Sequence, residues 1–388
     1  MRNINEEDKL FDQAIAGLIE RARHTLREGL EGFPHYADTR TGEWTTTPDG
    51  FWTGGFWPGL LWLGGLYTGD AALWQAAEKW AERLEPRVHS DSVFRGFLFY
   101  FGCAVGADLA GSEKAQRIAV DAARSLCSTF VPRINLMPLG ATAEEAHTVG
   151  ENETNIDGLS ASVLLSWAAA KTGDAQLADV AIRHALTNAS FCVRDDGSVC
   201  QSASFDSQTG KLTKTYTHKG YRIDSTWARA QAWAMMGYTY LATKHPDNQE
   251  IKAYAQKVCQ WWIDHAPADQ IAYWDFDAPQ AAPTPKDTSA TTIASYALLM
   301  GSTMLDDRQT ARDWRRFARD TIQTLCRDYL VPVPHAHADH AVAPMMLSQG
   351  CFDPVRDVAT AHELIWGDYF LMHSLGMLTG LIPEHKLG

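Results

Sequence analysis

The feature that most constrains the fold is a short polar break that recurs between apolar helical stretches. The breaks are Thr68-Gly69-Asp70, Ala110-Gly111-Ser112 and Thr172-Gly173-Asp174. Because each break separates two stretches with helical periodicity, the repeating unit is predicted to be a helical hairpin.

Helical periodicity extends along the whole 388-residue chain. The predicted helices are 9–27, 54–67, 71–84, 94–109, 113–130, 157–171, 176–192, 225–243, 248–265, 289–304, 310–325 and 362–379. About six hairpins follow one another without a Pro- or Ser-rich linker, which predicts a single domain over residues 1–388. The fold class is predicted to be all-α, an (α/α)6 barrel with apolar inner helices such as 157–171 and amphipathic outer helices such as 113–130.

Strands are predicted to be few and the loops before the inner helices long. Short hairpins are expected at 193–204, around an Asp195-Asp196-Gly197 turn, and at 271–276. The long loops are rich in aromatic residues and histidine, and functional loops usually gather on one rim of such a scaffold. These loops are 35–51, 137–156 and 201–223.

The composition excludes some partners. The net charge of −13 argues against nucleic acid or an anionic membrane, because both would repel the chain. The net charge is still compatible with an acidic substrate that binds in a locally basic pocket. The polar N-terminus and the lack of a long uninterrupted apolar stretch predict a cytoplasmic protein with no membrane partner. Seven scattered cysteines without a CxxC pair give no disulfide framework.

Segment 217–235 combines a polar, aromatic start with an apolar helix. Asp224 and Ser225 carry side-chain oxygens suited to capping, so the helix is predicted to begin there. Arg229 and Trp233 are four residues apart and share a helical face. A guanidinium beside indole rings suits a carboxylated sugar, whereas the alternative is an arginine that passes core tryptophans to reach solvent.

Several motifs occur in a fixed order. They are Phe33-Pro34-His35-Tyr36, Trp52-Thr53-Gly54-Gly55-Phe56-Trp57-Pro58-Gly59, Asn155-Ile156-Asp157, Thr217-His218-Lys219-Gly220-Tyr221, Asp224-Ser225-Thr226-Trp227-Ala228-Arg229, Tyr273-Trp274-Asp275-Phe276-Asp277 and Gly367-Asp368-Tyr369-Phe370. With these motifs in this order, the chain resembles the unsaturated glucuronyl hydrolases (glycoside hydrolase family 88) and, more distantly, the rhamnogalacturonyl hydrolases. The resemblance covers nearly the whole chain.

The resemblance implies an (α/α)6 barrel without metal or cofactor. It implies an acidic oligosaccharide substrate whose terminal uronic acid carries a C4=C5 double bond left by a polysaccharide lyase. Asp157 is the implied general acid/base, and Trp52, Trp227, Arg229 and Trp233 are the implied sugar contacts. Apolar residues follow Asp157, so burial would raise its pKa and keep it protonated near neutrality. The alternative role for Asp157 is a plain helix cap.

The chain departs from the family pattern at the fourth helix. The family's His-Asp-x-Gly-Phe motif is replaced by Val93-Phe94-Arg95-Gly96-Phe97, so a second acidic residue is missing. Asp91 is the nearest substitute and is a candidate catalytic residue. Arg95, Lys219 and Arg222 add positive charge and are candidate ligands for a carboxylate or a sulfated sugar.

Two other function classes remain open on these residues. A uronate-specific lyase on the same barrel would use His218, Tyr221 or Tyr273 to abstract the C5 proton, with Asn155 or Arg229 neutralising the carboxylate. A non-catalytic sugar-binding protein would have lost its second acid. Ultraviolet absorbance of the conjugated alkene separates the three, because a hydrolase consumes it, a lyase creates it and a binder does neither.

The other clusters of ionisable residues are not assigned a functional role. The run His335-Ala336-His337 with His340 has imidazoles that could hold one metal ion, but it lies in a predicted loop and the resembled family uses no metal, so none is predicted. Glu144-Glu145 and Asp306-Asp307 are interpreted as solvated charge pairs. No phosphate-binding glycine loop and no GxSxG nucleophile motif is present.

Overall fold

A computed structural model describes residues 6–150, 152–335 and 342–382. Its helices are α1 Glu6–Glu28, α2 Phe56–Thr68, α3 Ala71–Glu82, α4 Arg95–Phe99, α5 Val105–Ala110, α6 Glu113–Cys127, α7 Ala146–Val149, α8 Leu159–Thr172, α9 Ala175–Cys192, α10 Ala228–Lys244, α11 Gln249–His265, α12 Thr288–Gly301, α13 Arg308–Asp328 and α14 Ile365–Thr379. A π-helical turn, Tyr100–Ala104, joins α4 and α5 into one continuous helix.

Six helices form a closed inner ring. In order, α2, the joined α4–α5 helix, α8, α10, α12 and α14 each pack on the next, and α14 returns to α2. The second helix of each hairpin lies outside: α3 packs on α2, α9 on α8, α11 on α10 and α13 on α12, while α1 packs on α13 and α14. The predicted (α/α)6 barrel is confirmed.

Burial separates the two rings as the sequence pattern predicts. Every residue of α12 is buried, and so is α8 from Leu159 to Ala168. Outer helix α6 instead buries one stripe that includes Ile118 and Leu126. An all-apolar surface is stable only inside the ring, because each Å² of apolar surface removed from water contributes about 25 cal/mol.

The hairpin breaks act as caps. Gly69 and Gly173 end α2 and α8 with φ angles of 70° and 73°, in the left-handed region that glycine adopts without a steric cost. Asp70 and Asp174 then start α3 and α9 by accepting hydrogen bonds from the first-turn amides, at 2.9 and 3.0 Å. Each glycine–aspartate pair therefore reverses the chain.

The predicted start of the helix that carries Arg229 is wrong, and several other helix ends lie two or three residues from their predicted positions. Helix α10 begins at Ala228 rather than at Ser225, and its N-cap residue, Trp227, makes no side-chain cap bond within the described chain. The polar residues before it serve the loop instead. The Ser225 hydroxyl donates to Asp275 Oδ2 at 2.7 Å, and Arg222 pairs with Asp224.

Three small sheets lie among the loops. The strands are β1 Phe33–Ala37, β2 Trp44–Thr47, β3 Thr154–Asn155, β4 Ser202–Phe205, β5 Leu212–Tyr216, β6 Leu330–Pro332, β7 Met345–Leu347 and β8 Glu363–Leu364. Their orders are β2-β1-β8, β3-β4-β5 and β6-β7, with all neighbours antiparallel.

The sheet β3-β4-β5 is important for the site because it joins loops 137–156 and 201–223. The predicted hairpin at 193–204 is present in part, as a Val193–Val199 bridge and the start of β4. Residues 271–276 instead form single bridges to Lys286 and Trp227. Among the described helices, none is both long and apolar enough to cross a bilayer.

Candidate active site

The starts of the inner helices converge on one rim of the barrel. Trp52, Asp157, Trp227, Asp287 and Trp366 lie at or just before the beginnings of α2, α8, α10, α12 and α14. All inner helices run in the same direction, because each is followed by an outer helix that returns the chain. Their positive dipole ends therefore surround the same space, which favours negative charge there.

Asp157 lies in a short 3-10 turn, Ile156–Gly158, directly before α8. The cap of this turn is Asn155, whose Oδ1 accepts from the Gly158 amide at 3.1 Å, so the alternative role of Asp157 as a plain cap is wrong. Its side chain is only 7% exposed. Atom Oδ2 is buried and has no hydrogen-bond partner among the residues the structure describes. Asp157 therefore keeps an oxygen available to a ligand.

The surroundings keep Asp157 protonated near neutrality. Burial raises the pKa of Asp157, and the negative charge of Glu145 raises it further, while Lys219 and Arg229 partly oppose both effects. The result is a pKa of about 7. A carboxyl group with such a pKa gives up and takes back a proton readily at neutral pH.

Glu145 is the functional residue that sequence reasoning missed. Glu145 is 8% exposed and the Glu144 side chain 7% exposed, so the interpretation of this pair as solvated charges is wrong. The Glu145 carboxylate is ion-paired with Lys219 Nζ, accepts from Asn155 Nδ2 at 2.8 Å and lies 3.3 Å from His218 Nε2. The sequence carries no local signal for this, because the charged partners, His218 and Lys219, come from a loop more than seventy residues away.

Two cations lie above the aromatic rings of the site. Lys219 Nζ is 5.6 Å from the ring centres of both Trp227 and Phe352, and the Arg229 guanidinium carbon is 4.4 Å from that of Trp227. Arg229 is fully buried and binds Asp287 Oδ2 at 3.1 Å as well as the carbonyl oxygen of Phe352. Its terminal nitrogens are thus already engaged by the protein.

Indole rings form the walls. Trp52 and Trp366 have ring centres 5.0 Å apart, and Trp52 meets Trp233 edge-on at 6.1 Å. Trp233 packs deeper, 4.7 Å from Phe97. The indole N–H groups of Trp227, Trp233 and Trp366 are buried without an acceptor in the described ranges. Such rings combine an apolar face for a sugar ring with a free donor.

His35 closes the site from the first sheet. Its Nδ1 is 2.9 Å from Thr53 Oγ1, and its ring lies 5.8 Å from that of Trp366. Burial, followed by the charges of Arg229 and Lys219, lowers the pKa of His35 to about 3, so the ring is neutral. This histidine was noticed in the sequence only as part of a motif.

Arg95 is not brought to Asp157, which corrects its prediction as a sugar ligand. Its Nη1 donates to Ser125 Oγ at 2.8 Å and to the Val88 carbonyl oxygen, and its Nε donates to the Ser92 carbonyl oxygen at 3.0 Å. The guanidinium is therefore a buried clamp between the start of α4 and helix α6.

Arg222 and Tyr221 lie at the outer edge of the site. Arg222 is half exposed and pairs with Asp277 at 2.9 Å, so its charge is largely balanced. The Tyr221 side chain is 48% exposed, and its backbone amide donates to Asp275 Oδ2. Neither side chain contacts Asp157 or Glu145 directly.

Asp91 and His218 have protein partners. Asp91 is exposed, and its Oδ2 accepts from the Ala141 amide at 2.8 Å, which anchors the loop that carries Glu145. The Nδ1 atom of His218 lies 3.1 Å from Ser202 Oγ, while Nε2 faces Glu145. Both residues therefore support the site from its flanks.

The described part of the chain shows no candidate metal site. No group of three or more His, Cys, Asp or Glu residues arranged to hold a metal ion occurs in it. His337 and His340 lie outside the described residues, so that cluster is not assessed.

A proton-holding carboxyl group beside indole rings and cations, on the rim of an (α/α)6 barrel, suits acid/base chemistry on a sugar. No family model matches the chain. It is 29% identical over 373 residues to the unsaturated glucuronyl hydrolase of Bacillus sp. (strain GL1), covering 94% of this chain and 96% of that protein. It is 28% identical over 389 residues to the unsaturated chondroitin disaccharide hydrolase of Streptococcus pyogenes serotype M1, covering 96% and 91%.

Solved structures agree. The crystal structure of the unsaturated glucuronyl hydrolase from Bacillus sp. GL1 superposes with a TM-score of 0.84 at 27% identity, covering 95% of this chain and 96% of that one. An unsaturated glucuronyl hydrolase specific for heparin shares the fold, with a TM-score of 0.84 at 24% identity and coverage of 95% and 97%. The chain is therefore similar in sequence and in fold to unsaturated glucuronyl hydrolases over nearly its whole length.

Proposed function

We propose that this protein is a glycoside hydrolase that removes a C4=C5 unsaturated uronyl residue from the end of an oligosaccharide by hydrating the double bond. The observation that carries the proposal is the buried Asp157 carboxyl, with a pKa of about 7 and an oxygen free of described partners. The relatives are named as hydrolases of unsaturated glucuronyl and chondroitin sugars.

The proposed first step is proton transfer. The ring oxygen on C5 stabilises positive charge at that carbon, so the neutral Asp157 carboxyl protonates C4 and the charge develops at C5. Water then attacks C5 and passes its proton to the Asp157 carboxylate. One group thus serves as acid and then as base, and it ends the step in its starting form.

Release of the partner sugar follows from the product of hydration. The new hydroxyl makes C5 a hemiketal, whose ring opens to a ketone at C5 and a hemiacetal at C1. The hemiacetal loses the partner sugar as an alcohol and becomes an aldehyde. The protein therefore needs one acid/base group at the alkene and no separate attack on the glycosidic bond.

Recognition is assigned to the groups around Asp157. The faces of Trp52 and Trp227 pack against the sugar ring, and Lys219 provides the cation nearest to a bound carboxylate. Arg229 acts through its field, because its terminal nitrogens bind Asp287 and backbone carbonyl oxygens.

The lyase alternative is less well supported by these contacts. A proton-abstracting base needs a free nitrogen or oxygen toward C5. His218 faces Ser202 and Glu145 with its two ring nitrogens, Tyr221 points to solvent, and the Tyr273 ring lies under Lys286 at 3.9 Å. None of these three side chains contacts Asp157 in the described part of the chain.

The test is the absorbance of the conjugated alkene during incubation with unsaturated uronyl disaccharides, with and without sulfate. A hydrolase makes the absorbance fall and releases one reducing sugar for each alkene lost. If saturated uronate polymers instead gain absorbance, the protein is a lyase. If calorimetry detects binding and the absorbance does not change, it is a sugar-binding protein.

A further inference from the structure

Loop 137–156 brings a second carboxylate to the site from an unexpected place. Glu145 precedes the short helix α7, and its backbone carbonyl accepts from the amides of Thr148 and Val149 at 2.8 and 3.0 Å. The side chain turns inward to Asn155 and Lys219. A glutamate in a surface loop thus lies among the buried groups of the barrel rim.

The loop is fixed where α4 begins. The Val93 amide donates to the Leu139 carbonyl oxygen at 2.8 Å, and the Asp91 carboxylate accepts from the Ala141 amide. Glu144 is anchored separately by Arg87 at 3.1 Å. Adjacent glutamates therefore point to different partners, one to a peripheral arginine and one to the site.

Asn155 connects Glu145 to Asp157. Its Nδ2 donates to Glu145 Oε2 at 2.8 Å, and its Oδ1 accepts from the Gly158 amide at 3.1 Å, so one side chain bridges the glutamate and the turn that carries the aspartate. Asn155 is itself held, because Asn188 Nδ2 donates to its carbonyl oxygen at 2.8 Å. The relative placement of the two carboxyl groups is set by this bridge.

The two carboxyl groups have opposite protonation preferences. Burial alone would raise the pKa of Glu145, but the charges of Lys219 and His218 and their hydrogen bonds hold that pKa below its usual range. Glu145 is therefore ionised at neutral pH, and it faces an aspartate that keeps its proton. Pairs of titratable groups pushed apart in this way are typical of acid/base sites.

The other titratable groups facing Asp157 carry no compensating negative charge. Lys219 and Arg229 lower the pKa of Asp157. The His184 ring contacts the Gly158 carbonyl oxygen at 3.1 Å, and burial lowers the pKa of His184 to about 4, so it is neutral. The Cys192 thiol stays protonated, because its hydrogen bond to Cys200 and its burial raise its pKa.

We infer that Glu145 is a positioning residue that replaces the missing second aspartate: it holds Lys219 and His218 in the site and keeps the proton on Asp157. This inference deepens the proposed function and rests on it for its rate measurements. Glu145 acts through its neighbours, because Lys219, His218 and Asn155 occupy its oxygens.

The test compares Glu145→Gln with Glu144→Gln. The first variant keeps the size of the side chain and removes its charge, while the second removes the neighbouring carboxylate that pairs with Arg87. Without the charge of Glu145, Asp157 should lose its proton more easily. We expect the alkaline limb of the pH–rate profile to move to lower pH by about one unit, which is roughly a tenfold loss of rate on that limb. Glu144→Gln should leave the limb in place.

A third variant separates an electrostatic effect on Asp157 from general damage to the fold. Lys219→Met removes a positive charge that faces Asp157, so the limb should move to higher pH, opposite to the shift in Glu145→Gln. Damage to the fold would lower the rate across the pH range and would not produce shifts of opposite sign. Equal shifts in the same direction in both variants would overturn the inference.

An infrared titration makes the test independent of activity. The carboxyl C=O band that disappears in Asp157→Asn reports the protonation of Asp157 in the folded protein without substrate. Its midpoint should fall in Glu145→Gln and stay unchanged in Glu144→Gln, and an unchanged midpoint in Glu145→Gln overturns the inference. If the wild type consumes no unsaturated sugar but the midpoint falls, the proposed function fails and the role of Glu145 stands.

Discussion

Asp157 with Glu145 and Asp368 with Glu363 are both buried carboxyl pairs in which burial, then the charge of the glutamate, raises the pKa of the aspartate. They differ in what surrounds them. The Asp157 carboxyl faces Lys219 and Arg229 beside indole rings, whereas the Asp368 carboxyl faces Glu363 and Arg21 and accepts from the Leu347 amide at 3.0 Å.

The second pair is a structural clamp. Two nitrogens of Arg21 in α1 donate to the Glu363 carboxylate in β8, at 2.6 and 2.9 Å. Arg21 also donates to the Gly42 carbonyl oxygen at 2.9 Å. Asp368 lies in α14, so the cluster ties the N-terminal helix to the inner ring. A raised pKa alone therefore does not identify a catalytic group, and the groups that surround the carboxyl decide.

The largest expected effect separates the two aspartates. Asp157→Asn removes proton transfer and should lower kcat by about 10²–10⁴-fold while the fold is retained. The matched change, Asp368→Asn, should leave the activity per folded molecule within a few-fold. The measurement is alkene consumption, with circular dichroism to count folded protein. Similar losses in both variants would remove the distinction between site and clamp.

The next effect concerns stability. Arg21→Met leaves Glu363 buried without its cation, and breaking a buried ion pair in this way costs about 3–5 kcal/mol. The denaturant midpoint should fall accordingly, with little change in activity below the transition. Lys219→Met should lower the activity far more than Arg21→Met does, because Lys219 serves the site. Equal activity losses per folded molecule in the two variants would contradict this division.

The unfolding free energy of the wild type and of Asp157→Asn should depend differently on pH. The folded-state pKa of Asp157, about 7, lies above its unfolded value of 3.8, so its stabilising contribution is complete below pH 4 and is lost as pH rises to about 7. Asp157→Asn does not titrate. Relative to the wild type it should therefore gain roughly 4 kcal/mol of unfolding free energy between pH 4 and pH 8. Denaturant titrations at both pH values measure this difference, and a constant difference would show that Asp157 does not hold its proton.

The smallest effect is expected for Asp91. Asp91→Ala removes one exposed hydrogen bond to the Ala141 amide, worth about 1 kcal/mol, and loosens the loop that carries Glu145. The value of kcat should stay within a few-fold of the wild type. A loss of about 10²-fold or more would instead make Asp91 the second acid, as the sequence alone suggested.

Much of the fold is predictable, because each predicted helix depends on its own periodicity and each hairpin on a short polar break between two helices. Asp157 was found through its motif. Glu145 was not, because its burial depends on β3-β4-β5 bringing two distant loops together. Arg95 was misjudged for a similar reason, since its partners are backbone carbonyl oxygens that no residue pattern reveals.

In the proposed reaction, Asp157 delivers a proton to C4 of an unsaturated uronyl sugar. The most direct measurement is the reaction of an unsaturated uronyl disaccharide in heavy water, with the product analysed by NMR. We expect the wild type to lose the alkene and to give a product with one deuterium at C4, added to a single face. We expect no such product with Asp157→Asn. Deuterium on both faces of C4, or unchanged labelling with Asp157→Asn, would contradict the proposed role of Asp157.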